Sequence, residues 1–270
     1  MAVTLSRAPA CNVACTSAST HCCASPSPRI ASSCASFSSR VRPSEHYPFW
    51  EEYAKGFTHT FRDLVATDAS PLQVRQLRTA FGRILTPGRP RLVLKITGWP
   101  RIGFLRQVFP DARFLHIVRD GRAVASSMLA VPFWKGWEGP ERWGFGPLSA
   151  EHQQIWERYD RSFHALAALE WNLLLDAMKQ ASGGLAADHF MEVRYEDVCA
   201  DTSAAMQDIA RFAGIDWLPG FERALAAHTV ESANDKWRQD LTAEQQRIIS
   251  EIEQPWLAHY GYAAAAAVTR

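Results

Sequence analysis

The chain has 270 residues, 47% of them hydrophobic and 21% charged, with a formal net charge of +1. That is enough chain to bury a sizeable core in one or two domains. The balanced charge argues against nucleic acid as a partner, no apolar run approaches the length of a membrane span, and the scattered histidines show no metal-ligand spacing, so no metal is expected.

Residues 1 to 44 differ from the rest. They contain no Asp or Glu, are crowded with Ser, Ala and Pro, and hold Cys11, Cys15, Cys22, Cys23 and Cys34 in irregular spacing. Such a segment cannot bury much of a core, so disorder is expected. A basic, acid-free, Ser-rich N-terminus also fits an organelle transit peptide, and a third account is a non-native stretch produced by a frame error in GC-rich coding DNA. The body, residues 45–265, reads as one domain. Its single Cys199 argues for a reducing compartment, so the expected location is the cytoplasm, with an organelle as the alternative if the first 44 residues are a transit peptide.

Along the body, Pro48 to Val65 reads as an aromatic-rich helix, and Ser70 with Pro71 supplies an N-cap and first-turn proline for a helix to about Leu85. Leu92 to Ile96 reads as a strand, Gly98-Trp99-Pro100 as a turn and Arg101 to Val108 as a short helix stopped by Pro110. Phe114 to Val118 is short, branched and aromatic, the pattern of a strand buried on both faces. Asp120 and Gly121 then make a turn into a helix from Arg122 to Ala130. Trp156, Tyr159, Phe163, Leu166, Leu169 and Leu173 recur at helical spacing, and Phe190 to Val193 forms a third strand. Thr202 caps a helix ended by Gly214, and Thr242 with Gln245 forms a capping box for the last helix. Strands alternating with helices predict an α/β fold in three layers around a mainly parallel sheet.

Two stretches invite chemistry. Arg119 ends a buried strand beside a helix N-terminus, the place where α/β proteins hold anions. Ser127, two turns into the helix, adds a hydroxyl if that anion is a phosphate, and the bland reading is a solvated arginine in a surface turn. The aromatic, Gly-rich stretch between Val131 and Leu148 fits neither helix nor strand. It is either a lid whose ring faces cover a ligand or a hydrophobic plug against the sheet edge.

Read together, the stretches "RLVLKITGWPRIGFLRQVFPDARFLHIVRDGRAVASS", "FMEVRYEDVCADTSAAMQDIARFAGI" and "DKWRQDLTAEQ" followed by "LAHYGY" resemble the PAPS-dependent sulfotransferases, in the branch with bacterial and carbohydrate-modifying members. The resemblance implies a P-loop NTPase-like α/β fold and transfer of a sulfuryl group from PAPS to a hydroxyl or amine. PAPS and its product PAP are co-substrates, no metal is required, and the acceptor is a small molecule, a carbohydrate or a hydrophobic alcohol. It places Arg119 and Ser127 on the 3′-phosphate of the donor, by charge-assisted hydrogen bonds. Within the loop Ser232 to Arg238 it gives Lys236 to a phosphate and Trp237 to the nucleotide. Lys95 is the candidate catalytic cation, and Thr97 stands where the cytosolic branch has a histidine base. Glu196 of Tyr195-Glu196-Asp197 is expected to fix a loop, Arg122 to face solvent, and Gly121 to stand in for a common proline that the turn tolerates equally. No stretch resembles the Gly-rich loop that cradles the 5′-phosphosulfate, which leaves the first central strand of the fold in question. The alternative reading is a non-catalytic remnant or nucleotide-binding module of the same fold.

Overall fold

The computed structural model describes residues 2–7, 47–58, 61–228 and 230–262. The five N-terminal cysteines, and the disorder or transit peptide expected beyond Arg7, lie outside these residues.

Four strands form one sheet in the order β2, β1, β3, β4. β2 is Arg91–Ile96, β3 is Arg113–Val118 and β4 is Phe190–Arg194. β1, Ala2–Arg7, takes the central place between β2 and β3. β3 and β4 are parallel, with Phe114 opposite Phe190 and Val118 opposite Arg194. β1 is antiparallel to both neighbours: Ala2 pairs with Ile96 and His116, and Arg7 with Arg91. β2, β3 and β4 therefore run the same way and end at one edge, as an α/β fold requires, and the central strand alone is reversed. Ala2–Arg7 is ordered as a strand although the composition of residues 1 to 44 predicts disorder.

Strand alternation divides the sheet into two faces. Leu92, Leu94, Ile96, Phe114 and Phe190 share one face, which packs into a core with Trp50, Phe57, Leu77, Phe81, Phe104 and Phe109. Those residues come from α1 (Tyr47–Tyr53), α2 (Pro71–Gly82), α3 (Ile102–Val108) and the turns beside them. α1 is shorter than its aromatic pattern predicts. The Glu51 carboxylate accepts from the N–H groups of Gly56 and Thr58, turning the chain back so that Phe57 stacks on Trp50 at 4.3 Å. Ser70 and Gln73 cap α2 reciprocally.

α4 (Gly121–Leu129) follows β3, and the helical stripe after the aromatic loop resolves into α5 (Ala150–Arg158) and α6 (Phe163–Ser182). Asp160 and Arg161 break it with positive φ, and Ser162 recaps by accepting from the Ala165 N–H. α7 (Tyr195–Ala200) and α8 (Thr202–Ala213) follow β4, with Asp201 rather than Thr202 as the cap of α8. Arg91 and Arg113, both on the second face, donate to the C-terminal carbonyls of α8 at Ala213, Gly214 and Phe212. Coverage of that face is incomplete at β2, where Val93 stays 60% exposed. α9 (Pro219–Ala226), α10 (Trp237–Asp240) and α11 (Ala243–His259) complete the described chain. α4, α6 and α11 share a second core with Trp134, Trp143 and Trp237.

Candidate functional site

The site is built where β3 and β4 end. Asp120 caps α4: its carboxylate accepts from the Arg122 N–H and holds the Arg122 guanidinium at 2.6 Å, and both side chains are buried. Arg122 lies over the Trp237 ring at 4.6 Å. The expectation that Arg122 faces solvent is therefore corrected, because Asp120 and Trp237 supply the partners that let a guanidinium leave water. That pair moors the start of α4 to α10.

Arg119 is half-buried over the Tyr195 ring, 4.8 Å from its centroid. Its Nε donates to Asn234 Oδ1 at 3.1 Å and its Nη2 to the Ala233 carbonyl at 2.7 Å. Nη1 has no protein partner among the described residues. The loop Ser232 to Arg238 thus folds against Arg119. Glu196 is the hub behind it. One oxygen accepts from the Asn234 amide at 2.8 Å and the Asp120 N–H at 3.1 Å, and the other from the Tyr262 hydroxyl at 2.9 Å. Each of these atoms is taken by a structural bond, so Glu196 holds the loop as expected. Tyr195 completes the frame by donating to the Glu231 carbonyl and accepting from the Ala233 N–H.

Of the predicted site residues, the structure gathers Arg119 and the Ser232 to Arg238 loop at one edge. Ser127 lies exposed on α4 and Lys236 is exposed at the N-cap of α10. Trp237 is 1% exposed and belongs to the second core, wedged between Arg122 and Arg238, so its faces pack against protein rather than standing open to a base. Lys95 is half-buried on β2, separated from β3 by the whole of β1. Thr97 shares a hydrogen bond of 2.9 Å with the Tyr47 hydroxyl. His116 is buried and paired with Glu192 at 2.8 Å, a core histidine with its partner.

Sequence reasoning missed two buried carboxylates. Glu170 on α6 accepts from the Trp134 indole N–H at 2.8 Å, and burial pushes it up to about 8 against that hydrogen bond. Glu253 on α11 is fully buried with neither oxygen hydrogen-bonded among the described residues, and burial, reinforced by Asp120, holds its carboxyl well above the usual range. A Cβ at Gly121 would collide with Glu253 Oε2 and the Trp171 ring. The turn does not accept proline equally here, because proline carries that Cβ. The only sequence signals were acidic residues inside apolar helical stripes.

The aromatic loop packs as the hydrophobic plug read from its composition and leaves two of its rings exposed. Trp134 and Trp143 are buried, the first on Glu170 and the second donating to the Gly146 carbonyl. Phe145 meets Trp99, the turn after β2, at 5.9 Å. The loop therefore spans from α6 to the turn after β2. Phe133 and Trp137 remain 74% and 59% exposed, with Lys135 beside the Trp137 ring.

A sheet whose strands β2, β3 and β4 end at one edge, with Arg119 there and a loop folded onto it, defines an α/β protein. The profile of the sulfotransferase family matches residues 22–219, and the chain belongs to that family. Omega-hydroxy-beta-dihydromenaquinone-9 sulfotransferase Stf3 of Mycobacterium tuberculosis (strain CDC 1551 / Oshkosh) is 27% identical over 171 residues, 60% of this chain and 38% of that protein. The protein of the same name from Mycobacterium bovis matches to the same extent. Carbohydrate sulfotransferase 3 of Tetronarce californica is 22% identical over 198 residues, 64% of this chain and 42% of its own. The chain thus spans about two fifths of the length of these relatives.

Proposed function

We propose that this chain uses PAPS as donor and holds its 3′-phosphate between Arg119 and Ser127. In the reaction the bond between sulfur and the bridging phosphate oxygen breaks, a bond from sulfur to the acceptor oxygen or nitrogen forms, and the acceptor loses its proton. The products are the sulfated acceptor and adenosine 3′,5′-bisphosphate. The observation that carries the reading is Arg119, fixed by Asn234, Ala233 and Tyr195 with Nη1 unpartnered among the described residues, at the edge where three strands end. A guanidinium so held loses little freedom on taking a phosphate. Phe133 and Trp137, exposed in the loop that reaches from α6 to the turn after β2, offer apolar ring faces that suit a hydrophobic alcohol or the face of a sugar. The names of the two kinds of relative, one acting on a dihydromenaquinone and the other on carbohydrate, support the same pair of acceptor classes.

The narrower reading, a nucleotide-binding module without transfer, draws on one observation. β1 fills the central place but runs in reverse, so its C-terminal end at Arg7 faces the N-terminal end of β2, at the edge opposite Arg119.

Calorimetric titration with adenosine 3′,5′-bisphosphate, and with AMP as control, tests the 3′-phosphate assignment. Binding should require the 3′-phosphate and weaken by roughly 10- to 100-fold in Arg119→Ala, the size of a lost charge-assisted hydrogen bond. Arg119→Lys should recover only part of it, since an ammonium lacks the guanidinium fork. Equal affinity for AMP, or an Arg119→Ala variant that binds normally, would refute the assignment. Transfer of sulfate from PAPS, assayed in parallel, separates the enzyme from the module.

A further inference from the structure

We propose that the cleft beside β4 docks an extended, basic segment of a partner protein, added to the sheet as a further strand. This surface is separate from the Arg119 edge, and the inference does not depend on the donor or acceptor.

β4 is the terminal strand, with β3 on one side and no strand on the other among the described residues. A cavity of about 630 Å³ runs beside it, lined by Met191, Glu192, Val193 and Arg194. Successive residues of a strand point to opposite faces. Four in a row can line one cavity only if it runs along the backbone edge, where the strand's unpaired N–H and C=O groups lie. Such an edge is a template for pairing with another chain.

The far wall gives the partner its charge. Asp197 of α7, and Asp201 and Asp208 of α7's continuation into α8, are exposed along it. With Glu192 they make four carboxylates against the one arginine of the lining, Arg194, which lies against the Tyr262 ring and near Glu196. Some of this charge is already used: Asp201 caps α8, Asp208 pairs with Arg211, and Glu192 accepts from His116 and Tyr260. The remaining excess is negative. A second copy of this chain, pairing edge to edge, would bring two such acidic walls together, and like charges across an interface oppose association. An incoming strand with Lys or Arg at alternate positions places its cations on the Asp wall, while its backbone pairs with β4.

Fluorescence anisotropy with a labelled, end-capped peptide alternating Lys and Val over seven residues tests this on the full chain. Three controls accompany it: the same peptide with Glu for Lys, the Lys peptide N-methylated at alternate amides in both registers, and the Asp197→Asn/Asp208→Asn variant with its melting curve unchanged. The Lys peptide should bind saturably at one per chain and the Glu peptide at least tenfold more weakly. N-methylation in one register should cost at least tenfold and in the other little, and the double variant should lose about fivefold at low salt. Equal binding of both N-methylated peptides would reduce the effect to charge and overturn the proposal, as would a double variant that binds normally. Binding that appears only after removal of residues 263–270 would give the cleft to the chain's own tail. A dimer that excludes the peptide would give it to a second copy. Either result overturns the proposal.

Discussion

Replacing Glu170 by Gln should stabilise the protein, and only at neutral and alkaline pH. Glu170 is buried on α6 with the Trp134 indole as its hydrogen-bond donor, and burial raises it from the usual 4.5 to about 8. The folded state thus holds this proton more tightly than the unfolded chain does. The stability that comes with the proton is complete below about pH 4.5 and is lost as pH rises through about 8. At about 1.4 kcal/mol for each pH unit, the full loss has a ceiling of about 5 kcal/mol, and relaxation around the ionised carboxylate brings the expected figure to about 2–3 kcal/mol. Glutamine keeps an oxygen for Trp134 and never ionises. Urea unfolding of both proteins from pH 4.5 to 9 should give a difference near zero at the acid end. The difference should grow in favour of Glu170→Gln and level off above pH 8. Parallel curves would refute the reasoning, because they would mean that the carboxylate is ionised in the folded state at no cost, or solvated.

Three further outcomes follow from the site's supports. Gly121→Ala should cost about 2–3 kcal/mol in urea unfolding, because its Cβ collides with Glu253 and Trp171; a loss within 0.5 kcal/mol, about the size of an ordinary surface change, would mean that α6 and α11 yield freely. Glu196→Gln removes the charge behind the bonds to Asn234 and Asp120, so binding of adenosine 3′,5′-bisphosphate should fall by roughly 3- to 10-fold with the melting curve kept; unchanged affinity would show that Arg119 does not need that loop. Ser70→Ala should cost about 1 kcal/mol, since Ser70 and Gln73 bond reciprocally at the start of α2; a loss near zero in thermal unfolding would mean that solvent replaces the cap.

Much of the local structure was legible from neighbours along the chain. Ser70-Pro71 and Thr242 with Gln245 cap their helices because these signals act within one turn. Phe114 to Val118 is a strand because an apolar, branched run has that use in a parallel sheet. Arg119 at the strand end, and Glu196 behind its loop, followed from the ordered motifs of the family together with the anion-holding geometry of a sheet edge. Other features needed contacts between residues distant in sequence. The early end of α1 rests on Glu51 reaching forward and Trp50 stacking on Phe57. Burial of Arg122 needs Trp237, over a hundred positions away, and the demand for Gly121 needs Glu253 and Trp171. The direction of β1 is likewise a matter of pairing. A short strand carries no mark of its orientation, which is set only when both its neighbours accept its backbone hydrogen bonds. The sequence alone therefore determined which residues form elements and which family the chain belongs to, because those depend on local pattern and its order along the chain. Tertiary structure alone decided which charged groups are buried and paired, and which strand edge stays open, because burial and pairing are properties of surfaces brought together by folding.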